Sequence, residues 1–139
     1  MKSIEEIQQE IIEEFSEFDD WMDKYAYIIE MGKDLPPMDK SMKIEKNLVS
    51  GCQSQVWIYP EMRDGKIVFF ADSDAFITKG MAAMLWRLYN NRTSQEILDA
   101  KLSFIDKIGL GEHLSMNRAN GLKGMIDKFY QYARNQIKK

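Results

Sequence analysis

Apolar residues first recur at helical spacing. Ile4, Ile7, Ile11, Phe15 and Phe18 lie three or four positions apart, behind Ser3 and Glu6 in capping-box spacing. A second helical face follows with Trp21, Tyr25, Ile28 and Ile29; Gly32 suits its end, and Pro36-Pro37 prevents continuation. Then the period changes. "MKIEKNLV" alternates loosely and reads as a short strand. "SQVWIYPEM" and "KIVFFAD" are rich in β-branched and aromatic residues, and Asp64-Gly65 between them fits a two-residue hairpin turn. Pro60 has no N–H to give a ladder, so it must face an open edge, a bulge or a strand end.

Helical spacing resumes with Ile77, Met81, Met84, Leu85 and Leu88, with Ser73 or Asp74 as the expected N-cap. Thr93 and Glu96 form a second capping box before a short helix, and "SFIDKIG" adds another turn or two. A long final helix is expected from near Ser115, using Leu122, Ile126, Phe129, Ala133 and Ile137. Gly121 and Gly124 inside it each cost up to about 1 kcal/mol relative to alanine, which predicts close packing against a neighbouring element. The order of elements predicts an α+β fold. It has a small antiparallel sheet of about three strands, including a hairpin over 54–72, with helices packed on one face. Residues 1–139 are expected to form a single domain.

Composition narrows the chemistry. With 45% hydrophobic residues the chain can bury a core, and the ten methionines fall mostly at core positions. No apolar run approaches the roughly 20 residues of a membrane span, and "MKSIEEIQQE" is acidic and amphipathic, unlike a signal peptide. A cytoplasmic protein with no membrane partner is expected. Net charge is −3 with scattered basic residues, which argues against a nucleic-acid partner. A single cysteine rules out an internal disulfide framework and leaves too few ligands for a structural zinc site or an iron–sulfur cluster held by this chain alone. No glycine loop cradles a phosphate, so no cofactor is expected on this chain.

That cysteine, Cys52, is the sharpest candidate. It sits in "LVSGCQSQVW", between Gly51 and the polar run Gln53, Ser54 and Gln55. Glycine and polar neighbours point to a turn, where reactive groups are often held, although an inert buried thiol fits the same residue. A free thiol is mostly protonated at neutral pH. A reactive Cys52 therefore needs a nearby cation, for which Arg118, Lys79 and His113 are candidates, or a partner that does the activating.

"SGCQSQVW", "ADSDAFITKG" and "HLSMNRANGL" occur in this order, and together they resemble the SufE family of sulfur-acceptor proteins over nearly the whole chain. The resemblance implies a fold similar to that of IscU-type cluster scaffolds. It implies an accessory, sulfurtransferase-like role rather than a stand-alone enzyme. Cys52 would take persulfide sulfur from a SufS-type cysteine desulfurase, stimulate that enzyme, and pass the sulfur to iron–sulfur scaffold proteins. Pyridoxal phosphate would belong to the desulfurase, and the chain itself would be a monomer or a homodimer. Met81, Met84 or Trp57 are candidates for an apolar surface against which the loop holds its cysteine.

The resemblance also assigns the cysteine loop and partner docking to Gly51, Gln53, Ser54, Gln55, Asp74, His113 and Arg118. Each has a simpler structural reading: a satisfied turn for the polar run, an N-cap for Asp74, a solvent-facing side chain for His113, and scaffold bonding for Arg118. Met116 and Asn117 stand where the family commonly has proline and serine. Two competing readings remain: a non-catalytic interaction module that regulates a desulfurase, and a hydrolase built on Cys52 and His113, which would need those two side chains in contact.

Overall fold

The structure is a computed structural model that describes residues 1–137; Lys138 and Lys139, and the side chain of Ile137 expected on the last helical face, lie outside the described residues. Seven helices and one hairpin follow in order: α1 (Ile4–Ser16), α2 (Trp21–Gly32), β1 (Val56–Arg63), β2 (Lys66–Ser73), α3 (Phe76–Tyr89), α4 (Ser94–Asp99), α5 (Phe104–Lys107), α6 (Leu110–His113) and α7 (Met116–Ile137). The α+β class with helices on a small antiparallel sheet is as expected. None of the helices among the described residues is long and apolar enough to cross a membrane.

Local chemistry sets most boundaries. Ser3 Oγ accepts from the Glu6 N–H while the Glu6 carboxylate accepts from the Ser3 N–H, and Thr93 and Glu96 repeat this exchange before α4. Asp20 caps α2 by accepting from the Asp23 N–H at 2.9 Å. The hairpin closes with Arg63 paired to Lys66, and both turn residues have positive φ (Asp64 52°, Gly65 80°), as a two-residue primed turn requires.

Pro60 sits opposite Phe69. The Phe69 N–H donates to Asn90 Oδ1 and its carbonyl accepts from Trp86 Nε1, so this pair exchanges no ladder bonds. The missing N–H of Pro60 therefore falls on the outer edge of β1, where it costs nothing.

The third strand is a correction. Residues 40–47 form two 3₁₀ turns, Lys40–Met42 and Glu45–Asn47, and only a bridge between Leu48 and Trp57 remains of a ladder. Asn47 is the cause. It is 1% exposed, donates to the Met42 carbonyl at 2.8 Å and accepts from the Tyr132 hydroxyl at 2.9 Å. Satisfying that buried amide curls the chain, and its backbone bonds go to residues three back rather than across a sheet. Ile44, which an alternating strand would have buried, is 48% exposed.

Helix α3 runs through the centre, with nine of its residues buried, among them Met81, Met84, Leu85 and Leu88. Helix α7 covers it from the other side: Phe129 meets Phe69 edge-on at 4.7 Å and Tyr89 at 5.1 Å. Of the ten methionines, Met1, Met22, Met62 and Met116 are exposed rather than core. Helices α2 and α3 approach closely at Gly80, where an added Cβ would lie 2.0 Å from the Ile28 carbonyl oxygen. This contact holds together two walls of the site described below. Gly80→Ala is expected to lower stability by about 3 kcal/mol, measured by urea unfolding, because backbone has to move to admit the methyl.

Candidate functional site

The segment from Ser50 to Gln55 joins the Leu48 bridge to β1 and lies across the first half of α7. Two glycines of that helix, three positions apart and hence on one face, make room for it. A Cβ on Gly124 would stand 2.3 Å from the Ser50 carbonyl oxygen, and one on Gly121 would stand 3.1 Å from Cys52 Sγ. The expected close packing of both glycines is thus met, and the neighbouring element is the cysteine loop itself. Gly51, at φ 84°, turns the chain between these two contacts in a conformation that disfavours other residues.

Cys52 is half-buried, and its thiol donates to the Gly121 carbonyl at 3.7 Å. It lines an open hollow of about 560 Å³ whose apolar wall includes Ile29, Ile77 and Met81, with Ser54, Thr78 and Arg118 among its polar lining. Of the apolar residues expected near the cysteine, the hollow includes Met81 and leaves out Met84 and Trp57. Burial pushes the Cys52 thiol above its ordinary pKa, and no cation among the described residues offsets that effect. In this position the sulfur is a neutral thiol at neutral pH.

The far end of the loop is fastened to the start of α3. The Gln55 N–H donates to the Asp74 carboxylate at 3.0 Å, and the Asp74 N–H donates back to the Gln55 carbonyl at 3.2 Å. Neither Ser73 nor Asp74 is the N-cap of α3, which is a correction. Ala75 occupies that position without a side-chain bond, because Asp74 is engaged with the loop and Ser73 Oγ accepts from the Ala75 N–H. Asp72 lies between Lys43 at 2.7 Å and Lys79 at 3.3 Å. Burial works to raise its pKa, yet Lys43, the Ser73 N–H and Lys79 together hold it below the usual value.

The remaining sequence candidates divide. Gln53 and Gln55 are exposed, and Ser54 is half-buried at the hollow. Arg118, in the first turn of α7, lines the hollow with Cys52. A cation there opposes the helix dipole, and among the described residues Arg118 pairs with no carboxylate. Ser115 caps that turn by accepting from the Arg118 N–H at 3.2 Å, with Met116 and Asn117 in place. Lys79 is committed to Asp72. His113 does not line the hollow; its ring stacks on Trp21 at 4.1 Å, so the Cys–His contact needed by a hydrolase is not made. Sequence reasoning missed Ile29 and Ile77 as walls of the hollow and Lys43 as a partner of Asp72. No local pattern marks those three. The glycine pair was visible, but not what it receives.

The family described as "SufE: Fe-S metabolism associated domain" matches residues 9–133. An uncharacterized SufE-like protein of Rhizobium meliloti (strain 1021) is 39% identical over 134 residues, covering 92% of this chain and 95% of that one. A solution structure of a hypothetical protein from Thermus thermophilus shares the fold, with a TM-score of 0.76 at 18% identity over 96% of this chain and 97% of that one. The chain belongs to the SufE family, and with it to proteins of iron–sulfur metabolism.

The raised thiol pKa has a definite sign. The closed loop is favoured fully at pH values below the ordinary thiol pKa, and this advantage is lost as pH rises through the raised value. Alkylation of Cys52 by iodoacetamide should therefore be slower in the folded protein than in the same chain in urea at neutral pH. Asp74→Ala, which frees one end of the loop, should narrow that gap with little loss of stability. A folded-state rate above the unfolded one would contradict the parked neutral thiol.

Proposed function

We propose that this member of the SufE family is a sulfur acceptor: Cys52 takes the outer sulfur of a persulfide held on a SufS-type cysteine desulfurase and passes it to iron–sulfur cluster assembly. The observation that carries this reading is the placement of the chain's single cysteine. It rests half-buried on a short loop, fastened at both ends, beside an open hollow. An inert core thiol would be closed in, and a stand-alone nucleophile would have a base beside it. Cys52 has neither arrangement.

The transfer is a thiol–disulfide exchange in form. Cys52 loses its proton and its thiolate attacks the outer sulfur of the partner's persulfide. A new S–S bond forms at Cys52 Sγ as the partner's S–S bond breaks. The electron pair of that bond goes to the partner's cysteine sulfur, which leaves as a thiolate and takes up a proton. The moved sulfur keeps its oxidation state, so no outside oxidant or reductant is needed. Removing it frees the desulfurase for another turnover, which is the basis of stimulation. Pyridoxal phosphate, in this reading, works in the partner and generates the persulfide there.

A parked thiol with a raised pKa is slow to attack. Activation therefore falls to the partner, which draws the loop into its own active site. The surroundings of the hollow suit docking. Phe76 on its wall is 77% exposed and Met116 beside Asn117 is 81% exposed, with the exposed Gln53 and with Arg118, which makes no ion pair among the described residues, next to them. Exposed apolar side chains with an arginine are the usual anchors of an interface.

Incubation with a SufS-type desulfurase, pyridoxal phosphate and cysteine is expected to add the mass of one sulfur atom to the intact protein, and to add nothing to Cys52→Ser. If the wild type stays unmodified and sulfide release is unchanged, sulfur transfer is wrong. If Cys52→Ser stimulates the desulfurase fully, the protein is a docking module instead. Arg118→Glu should slow the mass gain by about tenfold, ~1.4 kcal/mol, while leaving iodoacetamide alkylation of the free protein unaltered. An equal effect on both would move Arg118 from docking to loop structure.

A further inference from the structure

We propose that Gly121 is a positioning residue whose seat accepts the bare Cys52 thiol and rejects the sulfur-loaded one, so that the loop changes place when it takes cargo. The inference rests on the sulfur-transfer reading, but its test needs no desulfurase.

The seat has two components. The Gly121 carbonyl accepts the Cys52 S–H at 3.7 Å. The missing side chain at 121 leaves the room that the sulfur uses, since a Cβ there would stand 3.1 Å from Sγ. Loading changes the sulfur in a way that defeats the first component. Sγ exchanges its S–H bond for an S–S bond, and the proton departs to the partner's thiolate or to solvent. An inner persulfide sulfur has nothing to donate, so its lone pairs face those of the carbonyl oxygen. Loading also lengthens the side chain by an S–S bond of about 2 Å, and the sulfur already lies 3.1 Å from where a Cβ on Gly121 would stand.

Room exists on the other side. The hollow beside Cys52 has a volume of about 560 Å³, and Arg118 is the cation in its lining. The loaded side chain is therefore expected to swing off Gly121 toward that space. The swing is short, because contacts independent of Sγ fix both ends of the loop: Ser50 against Gly124, and Gln55 paired with Asp74. Residues 51–54 move, with Gly51 at positive φ as the pivot. Bare and loaded forms then present different loops, which gives a sulfur donor and a sulfur recipient a physical basis for preferring opposite states.

Treating the full chain with methyl methanethiosulfonate caps Cys52 as a methyl disulfide, which leaves Sγ bonded to sulfur and without a proton. Amide NMR of the capped protein is expected to show large shifts at Gly51, Gln53 and Gly121, small ones at Gly124 and Asp74, and exchange at 51–54 faster by about tenfold. Unchanged loop signals on capping would overturn the proposal. Gly121→Ala supplies a second arm. The seat should be lost while the helix gains a better helix former, so alkylation of Cys52 rises about fivefold while the thermal midpoint stays level or rises. A folded Gly121→Ala protein with a wild-type alkylation rate would also overturn it. Either failure leaves the mass gain from a desulfurase standing as evidence for sulfur transfer, and absence of that mass gain leaves the seat intact as a property of the thiol.

Discussion

The close passage of the cysteine loop over α7, with no Cβ between them at positions 121 and 124, is the constraint on which the site depends. A helix normally keeps a neighbouring backbone at side-chain distance. Here the Ser50 carbonyl and the Cys52 sulfur come down onto the helix itself. That contact has a meaning only because α7 is rigidly placed. Phe129 is locked between Phe69 and Tyr89, and the Tyr132 hydroxyl lies 2.9 Å from Asn47 Oδ1 and 3.0 Å from the Ile58 carbonyl oxygen. The same helix therefore anchors the chain ahead of the loop, the strand behind it and the floor beneath it. The two glycines weaken the helix by about 1 kcal/mol each, at the two positions where the loop comes down onto it.

Electrostatics around the sulfur follow from where the cations are engaged. Lys43 and Lys79 close on Asp72, and the His113 ring stacks on Trp21. Burial alone then acts on the thiol and keeps it protonated. The thiol is thus held in its neutral form, and no carboxylate or imidazole among the described residues lines the hollow beside it. Arg118, set against the dipole of its own helix, makes no ion pair among the described residues, so it adds nothing electrostatic to the fold there.

How much of this could be read from the chain depended on the range of each interaction. The capping boxes at Ser3/Glu6 and Thr93/Glu96 and the turn at Asp64-Gly65 involve neighbours in sequence, so their residue types declare them. Pro60 gave the right rule for its edge. The segment ending at Asn47 misled because its alternation is local, while the buried bonds to Met42 and Tyr132 that curl it are partly tertiary. Asp74 looked like a cap because caps use the same carboxylate that instead holds Gln55. The motif around Cys52 pointed to the loop, but the partner of its sulfur lies 69 residues away. Nothing in the chain pairs the two positions except the oddity of a glycine inside a helix.

A loop of this kind has to be held weakly, and the observed contacts are weak ones. Half-burying one small side chain contributes about 1 kcal/mol or less, and a single S–H···O contact at 3.7 Å adds a fraction of that. Opening residues 51–54 leaves the two bonds between Gln55 and Asp74, one to the carboxylate and one to the Gln55 carbonyl, and the Gly124 contact unbroken. A net cost of about 1–2 kcal/mol for opening corresponds to roughly one molecule in six to one in thirty being open at a given moment. That range suits the sulfur-acceptor role proposed above. The thiol is shielded most of the time from stray electrophiles, yet a partner that binds the open form loses at most a factor of about thirty in affinity by waiting for it. Had the cysteine been buried as deeply as Met81, exposing it would have meant breaking the core.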